Sequence, residues 1–122
     1  MTNAINWFEI PVSDFNRAKK FYETIISAEF QVMEAMGMKS AFFPVDLKKG
    51  LGGCLIQGTG YEPSSKGALV YLNGEDDLNR ILSKVEAAGG KIILPKTAIG
   101  PNGFMAHFTD CEGNRVGLHS TK

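Results

Sequence analysis

Apolar and polar positions run through the same programme twice along this chain. Ile5-Asn6-Trp7-Phe8-Glu9-Ile10-Pro11-Val12 is mainly apolar, and after Ser13-Asp14 the apolar residues Phe15, Ala18, Phe21, Tyr22 and Ile25 recur every three to four positions. Gly67-Ala68-Leu69-Val70-Tyr71-Leu72 repeats the first pattern, and after Glu75-Asp76 the residues Leu78, Ile81, Leu82 and Val85 repeat the second. A buried strand that hands over to an amphipathic helix directly after a capping acid reads in this way. The spacing predicts helices over 15–26 and 77–88, the second stopped by Gly89-Gly90. Short apolar segments at 30–33, 39–44 and 51–57, and again at 91–95, 104–109 and 115–119, predict three strands after each helix. The fold class is therefore α+β: two tandem βαβββ units in a single domain over 1–122. Unit one covers about 4–58, a turn-rich linker about 59–67, and unit two about 68–119. That linker is the one hinge the sequence offers.

Composition narrows the partners. A chain of 122 residues with 43% hydrophobic content buries one core and not two, so the units share a core or dimerise. The 13 basic and 13 acidic residues cancel and form no runs, which argues against nucleic acid and anionic membrane surfaces. No apolar run approaches the roughly 20 residues of a membrane span, and Met1-Thr2-Asn3-Ala4 lacks the marks of a leader, so a cytoplasmic protein is expected. Cys54 and Cys111 have no metal-ligand spacing and read as reduced thiols, Cys54 in the core and Cys111 in an exposed, oxidisable turn.

Three stretches carry a resemblance: Ile10-Pro11-Val12-Ser13-Asp14 leading to Arg17-Ala18 and Phe21-Tyr22, then Ala87-Ala88-Gly89-Gly90-Lys91, then Phe108-Thr109-Asp110-Cys111-Glu112-Gly113-Asn114-Arg115. In this order the chain resembles the vicinal oxygen chelate superfamily, which includes glyoxalases, bleomycin-resistance proteins and extradiol dioxygenases; Cys111 stands where proline is commonest. The resemblance implies that the units form a curved mixed sheet with a concave pocket, and that two chains pair as a homodimer. It further implies a divalent metal held from the first, fourth, fifth and eighth strands by His, Gln or Glu. Those positions fall on Trp7 and Gly117 in the outer two strands, while 52–57 contains no carboxylate and 68–71 no His, Glu or Asp. No metal or other cofactor is expected.

Strand alternation puts Glu9 on the face of Trp7, and His119 on the face of Gly117. A carboxylate in an otherwise apolar strand costs energy unless it is satisfied or used, so Glu9 is the candidate catalytic base or ligand acceptor, and His119 a possible acid or donor. Trp7, Tyr71 and Phe104, with Phe42, are candidates for an aromatic lining. The substrate-binding set is thus Trp7, Glu9, Tyr71, Phe104 and His119. His107 reads as a surface or cross-strand residue, since one imidazole makes a poor metal site. Asp14, Arg17 and Asp76 read as caps and helix-face charges. Gly52-Gly53 signals close backbone approach or a bulge. The first function implied is metal-free binding of a small molecule, of the bleomycin-resistance kind, in a concave pocket built in a dimer. A glyoxalase-like lyase or isomerase, metal-assisted or with Glu9 as base, is the alternative, an accessory domain is a third, and whether any reaction is catalysed stays open.

Overall fold

The computed structural model describes residues 2–122 and contains both units. Strand β1 (Trp7–Pro11) leads to helix α1 (Phe15–Ile26) and strands β2 (Gln31–Ala35), β3 (Met38–Phe42) and β4 (Gly52–Gln57). The second unit runs β5 (Val70–Asn73), α2 (Asn79–Leu82), α3 (Val85–Ala88), β6 (Lys91–Ala98), β7 (Phe104–Thr109) and β8 (Arg115–Ser120). Each unit makes a four-stranded mixed sheet, ordered β1-β4-β3-β2 and β5-β8-β7-β6. The β1–β4 and β5–β8 pairs are parallel and the others antiparallel. Among the described residues no helix is long and apolar enough to cross a membrane.

Period-two alternation divides each sheet into a face turned to the helices and an open face. Ile10, Ala41, Leu55, Leu72, Ala106, Phe108, Val116 and Leu118 are buried with Phe15, Phe21, Tyr22 and Ile25 of α1 and Leu78, Leu82 and Val85 of the second unit. The two units thus share one core within one chain, and the Phe21 and Phe108 rings meet across it at 6.2 Å. Asp14 caps α1 by accepting from the Arg17 amide at 3.2 Å, and Ser27 ends the helix in the left-handed conformation.

The second helix departs from expectation. It is two short pieces separated by Ser83 and Lys84, where bonds such as Lys84 N–H to Ile81 O (3.1 Å) tighten to the i→i+3 pattern. Leu78, Ile81, Leu82 and Val85 are all buried nonetheless, because the apolar stripe fixes which side faces the core and leaves the hydrogen-bond pitch free. Strand β5 starts later than expected, and β6 continues through Pro95 to Ala98 as an edge strand with two register shifts. Gly52-Gly53 sits in unbroken register: it admits Trp7 on one face and Phe8 on the other, and makes no bulge.

The turn between β7 and β8 fastens the second unit to the first. Asp110, buried, accepts from the Tyr22 hydroxyl at 2.7 Å and the Asn114 amide at 3.1 Å through Oδ2, and from the Glu112 and Asn114 backbone N–H groups at 2.8 and 2.9 Å through Oδ1. Asn114 also donates to Pro11 O at 2.8 Å. Burial, then the Asp110 charge, pushes the Tyr22 pKa well above the ordinary phenol value. Glu112 accepts from the Ser13 and Asp14 amides, the Ser13 hydroxyl and the Arg17 guanidinium. Burial alone would push its carboxyl up, but Arg17 and these N–H and O–H donors outweigh it and hold the pKa below the ordinary carboxylate value. Arg17, read from sequence as a plain helix charge, is one jaw of this clamp. Cys111, a free thiol, is half-buried against the core rather than fully exposed, and burial followed by Asp110 pushes its thiol up to about 11. The linker is bonded to the units at two points, Tyr61 to Glu9 and the Ser64 amide to Asn114.

Candidate functional site

On the open face of the second sheet, register sets Tyr71, Gly117 and His107 abreast on β5, β8 and β7. Gly117 leaves the middle position empty; a Cβ there would lie 2.6 Å from the Tyr71 ring. The Tyr71 ring therefore lies across Gly117, and its hydroxyl reaches His107 Nε2 at 2.6 Å. On its other side His107 Nδ1 is 2.9 Å from the Arg115 guanidinium. Arginine only donates, so Nδ1 accepts, the neutral ring carries its hydrogen on Nε2, and Nε2–H donates to the Tyr71 oxygen. Burial, then the Arg115 charge, lowers the His107 pKa, in keeping with a neutral ring. The Tyr71 hydrogen is left facing Met105 Sδ at 3.7 Å, a weak acceptor.

Tyr71, Leu72, Asn73, Ile99, Met105 and His119 line a cleft of about 460 Å³ beside this network. His119 Nε2 donates to the Asn102 carbonyl at 2.7 Å. Asn73 Oδ1 accepts from the Glu75 amide at 2.8 Å, which leaves the Asn73 NH₂ as the free end.

The first sheet has different chemistry. Its corresponding triplet is Glu9, Cys54 and Phe42. Glu9 accepts from Tyr61 at 3.2 Å, and burial, followed by the Glu9 charge, raises the Cys54 thiol. Trp7 packs over Gly52 and edge-on to Phe42 at 5.8 Å, and with Val45 and Leu47 they line an apolar cavity of about 360 Å³. Glu9 and Arg115 share a smaller crevice of about 260 Å³ between the units.

Of the residues expected at a site, Tyr71 and His119 line one cleft, while Trp7 and Glu9 lie on the other sheet. Phe104 stands apart from both: alternation along β7 turns it with Ala106 and Phe108 toward the core, and Lys96 covers its ring at 4.7 Å. His107 proves to be cross-strand, and is the buried centre of the network. Its neighbours Tyr71 and Arg115 come from other strands, so only the register could reveal them. Among the described residues no three His, Cys, Asp or Glu side chains gather into a group that could hold a metal ion.

A family model described as the glyoxalase/bleomycin resistance protein/dioxygenase superfamily matches residues 4–118. A glyoxylase-like domain-containing protein of Didymella fabae is 31% identical over 116 residues, covering 90% of this chain and 88% of that one. CFP32 of Mycobacterium tuberculosis is 25% identical over 115 residues, which cover 93% of this chain and only 44% of that protein. A glyoxalase I mutant from Zea mays has TM-score 0.74 and 25% identity, over 95% of this chain and 46% of that one. The chain thus spans less than half the length of these last two.

Proposed function

The chain belongs to the glyoxalase/bleomycin resistance protein/dioxygenase superfamily, and from that premise we propose that it binds a small molecule on its open face without a divalent metal. The observation that carries this reading is the occupancy of the strand positions where the superfamily resemblance puts metal ligands. Trp7 and Gly117 offer no donor, and the Tyr71 ring fills the space into which a side chain at 117 would project. Cys54 is a buried thiol whose raised pKa disfavours the thiolate. Glu9 is engaged by Tyr61 and His119 by the Asn102 carbonyl, on separate sheets. A divalent ion needs several N or O donors at one centre, and this set does not fit one. What the face offers is an apolar cavity on one sheet and a cleft with a few polar groups on the other, which suits a small organic ligand.

The same reading includes a homodimer in a reducing, cytoplasmic setting. Val32, Met33, Met36, Val45 and Leu47 of the first unit are all exposed, and apolar exposure on this scale suits contact with a second copy. Both cysteines are free. Elemental analysis of protein purified without chelator, followed by thermal-shift screening of a metabolite panel with and without divalent metals, tests the proposal. Metal-free protein stabilised by an organic compound is the expected result. Stoichiometric zinc, nickel, manganese or iron, lost on replacing Glu9 or His119, would overturn it in favour of a lyase.

A further inference from the structure

We infer that the cleft of the second unit is the ligand site, and that it takes an apolar molecule bearing a carbonyl or carboxylate oxygen, received by the Tyr71 hydroxyl as hydrogen-bond donor. This rests on the small-molecule reading above and specifies where and with what polarity the ligand binds. The argument is one of hydrogen-bond direction. Arg115 has no acceptor atom, so it fixes the lone pair of His107 at Nδ1 and the hydrogen at Nε2. That hydrogen in turn occupies the Tyr71 oxygen at 2.6 Å, so the phenol approaches the cleft as a donor. A protonated His107 would set an N–H against the guanidinium 2.9 Å away, so the direction does not reverse by protonation.

In the free protein the phenolic hydrogen rests on the Met105 thioether at 3.7 Å, an interaction that a ligand oxygen would replace with a stronger one. The second polar group at the cleft has the same polarity: the Glu75 amide holds the Asn73 oxygen at 2.8 Å and leaves the Asn73 NH₂ to donate. Ile99 and Met105 supply the apolar wall. Two fixed donors beside an apolar wall suit a ligand oxygen on an apolar body, while the Nδ1 of a neutral His119, whose Nε2–H is held by Asn102, is the acceptor the cleft offers.

Acetophenone and benzoate are suitable probes, with toluene as the analogue lacking oxygen and benzamidine as the donor-only one. Methyl NMR of Met105, together with ¹⁵N shifts of the His107 ring, reads the outcome. The expected result is a neutral Nε2–H ring, acetophenone and benzoate shifting Met105, and Tyr71→Phe weakening both by roughly fivefold to tenfold, the loss of one hydrogen bond. Toluene and benzamidine should respond little to that substitution. An Nδ1–H or imidazolium ring, no Met105 shift at saturating probe, or unchanged affinity in Tyr71→Phe would overturn the inference. Probe shifts confined to residues around Trp7 would overturn it while leaving the small-molecule reading standing; a stoichiometric metal would instead remove that reading.

Discussion

The two units set different residues at equivalent points of one architecture. The equivalence is fixed by backbone bonds: Val12 N–H to Ile56 O at 2.9 Å in the first unit, and Gly74 N–H to His119 O at 2.7 Å in the second, close the same parallel strand pair. Counting back from these bonds aligns Glu9, Cys54 and Phe42 with Tyr71, Gly117 and His107. On the helix face the units match in character, since both must cover the shared core. On the open face no core constrains them, and they diverge. The first unit carries a side chain, Cys54, at the middle position; the empty one in the second, Gly117, lets two rings from the flanking strands meet. A glycine in mid-strand is here what allows a polar network to form.

The strongest way to break the comparison is to undo the clamp that holds one unit to the other. Asp110→Ala removes the acceptor of Tyr22, Asn114 and two backbone amides, stranding buried donors. The expected cost is about 3 kcal/mol or more, read by chemical denaturation. Next comes the glycine contrast itself. Gly117→Ala drives a Cβ to 2.6 Å from the Tyr71 ring and should cost about 1–3 kcal/mol while separating Tyr71 from His107. Gly52→Ala meets the flexible end of Leu47 at 3.0 Å, with Trp7 and Val45 at ordinary contact distances, and should cost less than half as much, measured in the same unfolding series. Equal costs would mean that the two faces are packed alike.

A smaller effect follows from Glu112. Its folded pKa is held below the ordinary value, so its contribution is present above the unfolded carboxylate pKa and is lost as pH falls through the folded one. Stability of the wild type should fall across that acidic window, and Glu112→Gln should flatten this part of the profile in acid denaturation. The smallest signal comes from Trp7, the chain's single tryptophan. An apolar aromatic in the first-unit cavity should shift Trp7 emission, whereas a ligand held by Tyr71 should leave it nearly unchanged. Identical emission changes for both would erase the distinction between the sites.

The sequence by itself determined the repeat, the order of the strands and which side of each element is buried. Ile10, Leu55, Val116 and Leu118 announce the core face because burial is periodic along the chain, and periodicity is a local property. Alternation also set Glu9 on the face of Trp7 and His119 on the face of Gly117, for the same reason. Only the tertiary structure decided what those faces do. Tyr71, His107 and Arg115 are separated by up to 44 residues in the chain numbering yet meet through register across three strands. Phe104 was a plausible lining residue by type, and its strand parity sent it to the core. The Asp110-Cys111-Glu112-Gly113-Asn114 turn was legible as a motif, but its work as a clamp on α1 was not, because hydrogen bonds between residues nearly a hundred positions apart leave no periodic trace.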